Sequence, residues 1–119
     1  MKPIYYITRQ QEFEEAQTIG HFTPPSFIEE GFVHCSFAHQ TIRVANKYFL
    51  GQNDLLLVEI DRTKLAAPVV EENLSGGTDL YPHIYGILNF SAIQAVFPLS
   101  CTEDGSFELP SGIRQEGRS

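Results

Sequence analysis

"NDLLLVEID", residues 53–61, is the stretch on which the fold turns. Leu55, Leu56, Leu57 and Val58 make a near-continuous apolar run, the length of a strand and apolar on both alternating faces. Such a strand needs cover on both sides, and the flanking sequence offers it. Upstream, "PIYYIT" (3–8) is β-branched and aromatic and predicts another strand. "RQQEFEEAQTIG" (9–20) sets Phe13, Ala16 and Ile19 on one helical face and stops at Gly20. "HFTPPSFIEE" (21–30), with its proline pair, reads as a loop. "GFVHCSF" (31–37) predicts a second strand, and "AHQTIRVANKYFLG" (38–51) a second helix with Ser36 at the N-cap position.

Downstream, "PVVEEN" (68–73) and "IQAVFPLS" (93–100) predict strands, and "GSFELP" (105–110) an edge strand. "LSGGTDLYPHIYGIL" (74–88) reads as a loop with an extended end. Helices early and strands late favour an α+β domain over the regular alternation of a doubly wound sheet. No GxGxxG and no GxxxxGK[ST] motif is present, so dinucleotide-fold and P-loop readings have no support. The expected organisation is one domain over residues 1–110 and a small, polar, flexible C-terminal tail over 111–119.

The chain has 119 residues, the size of one domain with one sizeable core. Its 8 basic against 15 acidic residues give a net charge of −7, which repels phosphate backbones and anionic membranes as partners. A local basic patch still allows one small phosphate-bearing ligand. Cys35 and Cys101 are two lone cysteines without CxxC or zinc-like spacing, consistent with a reducing cytoplasm, although the sequence leaves a disulfide between them open. "MKPIYYITRQQ" lacks a signal-peptide core and no run reaches membrane-spanning length, so a cytoplasmic protein is expected.

Two constellations carry chemistry. In "FVHCSF" alternation puts Phe32, His34 and Ser36 on one face, while Val33, Cys35 and Phe37 take the other. Cys35 is most simply a small buried hydrophobe. His34 and Ser36 form a polar pair in a core strand, so each needs a hydrogen-bond partner or a ligand. In "DLYPHIYG" (79–86), Tyr81, His83 and Tyr85 line one face if the segment is extended, and Gly86 permits close backbone approach. Such rings suit a stacking pocket for a flat ligand. Tyr5 and Tyr6 fall on opposite faces of the first strand, one in the core and one toward pocket or solvent. Gln40 lies one turn beyond Ser36, and Glu71 and Glu72 offer a carboxylate. His21 and His39 carry no expected role. Ligand spacing for a metal is lacking, and no metal is expected.

The run of "IYYIT", "EGFVHCS", Gln40, "NDLLLVEID", "APVVEE" and "LYPHIYGIL" resembles a family of small bacterial and plant proteins known as domain of unknown function 952, over about residues 3–99. That family in turn resembles the ADP-ribosyltransferase superfamily in fold. The resemblance implies two small antiparallel sheets split around a cleft that takes NAD as a substrate, with two helices in the N-terminal half. Carried over residue by residue, Tyr6 stands where the family commonly has His, a departure that puts the first role in doubt. His34 and Ser36 match the second motif, Glu72 the acidic residue, and Tyr81, His83 and Tyr85 the third motif. The roles implied are catalytic for Glu72, His34 and His83, and ligand-binding for Tyr6, His34, Ser36, Gln40, Tyr81, His83 and Tyr85. The expected function is binding NAD or a related nucleotide, with cleavage or transfer as its further step. The rival is a non-catalytic module for a nucleotide or protein partner, and the third reading a metal-dependent hydrolase.

Overall fold

The computed structural model describes residues 2–74 and 76–113. The chain opens with β1 (Ile4–Arg9), followed by α1 (Gln10–Ile19), β2 (His21–Phe22), α2 (Pro25–Glu30) and β3 (Val33–His34). A 3-10 turn over Ala38–Gln40 leads into α3 (Thr41–Tyr48), then β4 (Leu55–Ile60) and β5 (Val69–Glu72). β6 (Tyr81–Ile84), β7 (Leu88–Asn89) and β8 (Ile93–Leu99) complete it. The strands form three small antiparallel sheets, ordered β1-β4-β8, β2-β7 and β3-β6-β5. This is a single α+β domain.

β4 is central in its sheet and covered on both faces, as its apolar run requires. Leu55 and Leu57 pack with Tyr5, Ala45, Leu99 and Phe107 in one core cluster. Val58 and Ile60 pack with Ile4, Tyr6, Val33, Ile84 and Leu88 in the other. All four of these β4 side chains are 2 % exposed or less, the burial at which truncating a leucine costs roughly 2–5 kcal/mol. The first and third sheets meet through one bridge, in which Tyr5 and Ser36 exchange backbone hydrogen bonds of 2.8 and 2.9 Å. Residues 33–36 therefore leave one sheet and join the other, and the cleft opens beside that crossing.

Several expectations change. The "PPSFIEE" loop is the helix α2: Pro25 sits in its first turn, where a missing N–H costs nothing, and Gly31 ends it at φ 86°. There are thus three helices in the N-terminal half among the described residues, not two. His21 and Phe22 are not loop but pair with Asn89 and Leu88. The second strand is only two residues long, and the proline explains it. Pro82 accepts a bond from the Cys35 N–H at 3.1 Å but has no N–H to return, so the ladder stops at His34.

Ser36 caps no helix; its Oγ pairs with Thr41 Oγ1 at 3.1 Å, and the Phe37 N–H is bonded by Gln40 Oε1 at 2.9 Å instead. Tyr5 and Tyr6 are both buried, since both faces of β1 are covered. "GSFELP" gives one isolated pair, Cys101 with Phe107, rather than a strand. Ile113, placed by sequence in the tail, is buried in the second core, and residues 114–119 lie outside the described residues. Cys35 and Cys101 are free thiols. Among the described residues no helix is long and apolar enough to cross a membrane.

Candidate functional site

Register alone brings the two histidines together. β3 pairs β6 with Val33 opposite Ile84 and His34 opposite His83. Alternation sends Val33 and Ile84, both fully buried, into the core, and turns the histidines the other way. The two imidazoles stand edge to face, centroids 5.1 Å apart at 73°. Phe32 supports them from one side, stacked on His83 at 4.3 Å and 4.7 Å from His34, with the Tyr85 ring 5.2 Å away. Gly86, next to Tyr85, passes close to Ala67, where an added Cβ would lie 2.4 Å from Ala67 Cβ.

Each histidine is tied to a carboxylate. Glu72, at the end of β5, lies opposite Tyr81, and its Oε2 meets His83 Nδ1 at 2.8 Å and also accepts the Tyr85 hydroxyl. The Tyr85 bond, and after it His83, hold the Glu72 carboxyl below its usual range, while Glu72 raises the Tyr85 hydroxyl in return. An ionised carboxylate only accepts, so Nδ1 of His83 is the donor and Nε2 is left for another partner. His34 Nε2 lies 3.0 Å from Glu30 Oε1, one helical turn upstream at the end of α2. The two dyads differ in access: the His34 side chain is 52 % exposed and that of His83 only 7 %.

Both histidines line a cleft of about 1290 Å³ that runs between β1, α1, α3 and the crossing segment. Tyr81, Arg43, Lys47 and Arg9 stand on the same cleft; Glu12, Glu15, Glu30 and Glu72 are its acidic groups. Three of the eight basic residues of an acidic chain therefore gather here. Arg43 donates to Asp79 at 2.8 Å and to the Tyr81 hydroxyl at 3.1 Å, which fixes both β6 and its preceding loop against α3.

Tyr6, Cys35 and Ser36 also line the cleft. The Tyr6 hydroxyl donates to Glu12 Oε2 at 3.0 Å, and Thr8 Oγ1 donates to Glu12 Oε1. Burial, then the charge of Glu12, pushes the Tyr6 hydroxyl far up, so it remains a donor committed to Glu12. Burial likewise pushes up the Cys35 thiol, which rules it out as a thiolate nucleophile at neutral pH.

The structure thus gathers Glu72, His83 and Tyr85 into one bonded group with the His34 ring against it, and sets Tyr81, Tyr6 and Ser36 on the same cleft. Gln40 does not join them. It is buried, donates to the Leu80 carbonyl at 2.8 Å, and lines a separate hollow of about 430 Å³ with His39 and Arg62. Sequence reasoning missed Glu30, Glu12, Arg43 and Lys47. Glu30 is hidden because the proline pair of its helix reads as a loop signal; Glu12, four residues after Thr8, has a legible spacing but no reason to be aimed inward. Among the described residues no three His, Cys, Asp or Glu side chains gather closely enough to hold a metal ion.

Residues 7–96 match the family described as Protein of unknown function (DUF952). No curated protein matches the chain. Among solved structures it is similar to protein CC0527 from Caulobacter crescentus. The crystal structure of CC0527 superposes with a TM-score of 0.82 at 29 % identity, over 91 % of this chain and 95 % of that one. Its solution structure gives 0.81 at 29 % identity, over 95 % and 97 %.

Proposed function

We propose that this chain, which belongs to the DUF952 family, binds NAD or a related nucleotide in the cleft beside His34 and His83. In this reading the chain is ADP-ribosyltransferase-like, and Glu72 is the carboxylate that acts at the nicotinamide ribose. One observation carries the proposal: Glu72, His83 and Tyr85 form a single bonded group whose carboxylate is kept ionised beside an aromatic wall. Breaking a nicotinamide–ribose bond develops positive charge on the sugar, which a fixed carboxylate stabilises and a water-poor aromatic pocket protects. Both bonds to Glu72 fall on Oε2, which leaves Oε1 for a ribose hydroxyl or for that developing charge. Arg43 and Lys47 supply cations for the pyrophosphate, and Tyr81 a ring for a flat base.

The test is nicotinamide release from NAD, read together with thermal shift. Wild-type protein should gain melting temperature with millimolar NAD or ADP-ribose, because a ligand selective for the folded state stabilises it by mass action. It should also release nicotinamide slowly. Glu72→Gln should cut that release roughly a hundredfold while sparing the thermal shift. A second reading, a binding module that does not cut, is favoured by one feature. Tyr6 replaces the histidine that the resemblance expects, and its hydroxyl is already committed to Glu12. Thermal shift without nicotinamide release selects that module, and absence of both overturns the nucleotide reading.

A further inference from the structure

Two strand edges on the cleft carry backbone groups without partners. Tyr5 exchanges both of its backbone hydrogen bonds with Ser36, so alternation turns the N–H and C=O of Ile7 the same way, away from β4. The Cys35 N–H bonds the Pro82 carbonyl, so one residue earlier the N–H and C=O of His34 turn away from β6, to the side that Ser36 shows to β1. In an unbroken antiparallel ladder running from the Tyr5–Ser36 bridge, Ile7 would face His34. The ladder breaks because Val33 and His34 pair with β6 instead. β1 and β3 thus diverge from the bridge as a fork. Among the described residues neither Ile7 nor His34 has a backbone partner inside it, and both line the cleft.

The fork has a helix on either side. α1 packs through Phe13 and Ala16 on the face of β1 that carries Tyr6. α3 packs through Ile42 and Ala45 on the face that carries Tyr5 and Ile7. Both helices line the cleft, α1 with Glu15, Ala16 and Ile19, α3 with Val44, Lys47 and Tyr48. Glu15 and Lys47 are exposed, and among the described residues neither makes a hydrogen bond or an ion pair. The Lys47 ammonium only rests 5.2 Å from the centre of the Tyr48 ring. Arg43, by contrast, is already committed to Asp79 and the Tyr81 hydroxyl. The cleft therefore offers one unpaired anion on its α1 wall and one unpaired cation on its α3 wall.

We propose that the fork between β1 and β3 binds an extended peptide segment of another protein as an added strand. A peptide carries hydrogen-bonding groups on both of its edges in alternation, which is what two facing strand edges ask of a ligand. The peptide residue opposite Ile7 accepts from the Ile7 N–H and donates to the Ile7 carbonyl, and the residue beside it turns the same groups toward His34. Cross-strand neighbours share a face, so the side chain opposite Ile7 leans toward α3 and Lys47. Its two neighbours lean toward α1 and Glu15. The sequence that fits is an acidic residue between two basic ones. At exposed positions such charges select sequence and register more than they add affinity. A second copy of this chain does not fit, because its own β1 edge lies between its own α1 and α3. The proposal does not rest on the NAD reading, which places its chemistry at Glu72 and His83; the two ligands share Lys47 and should compete for it.

The experiment titrates the nitrogen-15-labelled full chain with acetyl-Val-Arg-Glu-Arg-Val-amide to millimolar concentration. The backbone amides of Ile7 and His34 should shift on one saturation curve, and their hydrogen exchange should slow by roughly tenfold or more. The amides of Tyr6 and Thr8, which face β4, should change little. Methylating the peptide nitrogen of the central Glu removes the donor for the Ile7 carbonyl and should weaken binding roughly tenfold. The charge-reversed acetyl-Val-Glu-Arg-Glu-Val-amide should bind roughly fivefold more weakly than the first peptide. Glu15→Lys, at an exposed position, should fold normally and lose that preference. No shift of Ile7 and His34, equal binding of the methylated peptide, or equal binding of the charge-reversed peptide overturns the proposal. Thermal shift with NAD on the same preparation without peptide separates this failure from that of the nucleotide reading.

Discussion

Phe32→Leu removes the support beneath the site while leaving most of its volume. Phe32 is 3 % exposed, and its ring meets His83, His34 and Tyr85 at centroid distances of 4.3, 4.7 and 5.2 Å. Aromatic pairs are worth about 0.5–1.5 kcal/mol each beyond the area they bury. They share one ring here and do not add fully, which places the loss at about 2–3 kcal/mol. That is below the roughly 3–5 kcal/mol of a Phe→Ala truncation, because leucine fills most of the space. Against a total stability of about 5–15 kcal/mol the variant stays folded. With a urea m-value of about 1–3 kcal/mol/M, the unfolding midpoint should fall by about 0.7–3 M at constant m. A double-mutant cycle with His83→Gln should show coupling of about 1 kcal/mol, since the two rings are stacked. A midpoint loss worth under about 0.5 kcal/mol, or full additivity with His83→Gln, would refute the claim that Phe32 holds the imidazoles in place.

Native-state labelling with iodoacetamide should modify Cys101 at least about tenfold faster than Cys35, which is buried and whose thiol is pushed up by that burial; equal rates on peptide mapping would contradict the packing of the crossing segment. Hydrogen bonds from Ser106 and Thr102 hold Asp104 at about 2 against an ordinary 3.8. A depressed carboxylate stabilises the fold above its ordinary value and loses that contribution as pH falls through its folded value. Melting temperature should therefore drop more steeply from pH 4 to 2 in the wild type than in Asp104→Asn, and parallel curves would count against the loop geometry.

The sequence is most legible where a pattern is long. β4 announces itself by four consecutive apolar residues and is buried on both faces, and α1 follows its helical spacing to Gly20. Short elements hide: His21–Phe22 and Leu88–Asn89 pair over two residues, too few for any period to emerge. Proline misled twice. Pro24 and Pro25 read as a loop signal but start α2, and Pro82 marks a loop by rule yet sits in the middle strand of its sheet. It is tolerated because β3 ends where the missing N–H would be needed. At the site, alternation alone put His34 and Phe32 on one face and His83 and Tyr85 on another. What brings the two faces together is the β3–β6 register, a non-local pairing that the local sequence of neither strand specifies. Gln40 shows the opposite error. Its spacing from Ser36 pointed toward the pocket, but its amide is spent on the Phe37 and Leu80 backbones.

The chain holds four histidines, so their ring nitrogens are resolved readily in a nitrogen-15 long-range correlation spectrum. Titration with ADP-ribose at neutral pH tests the central claim most directly. Resonances of His34 and His83 should move together with one saturation curve, while His39 changes little, because the first two are in ring contact on the cleft and His39 lines the other hollow. Perturbation of His39 alone, or no movement of His34 and His83 at ligand concentrations that saturate a thermal shift, would contradict a nucleotide site at the paired histidines.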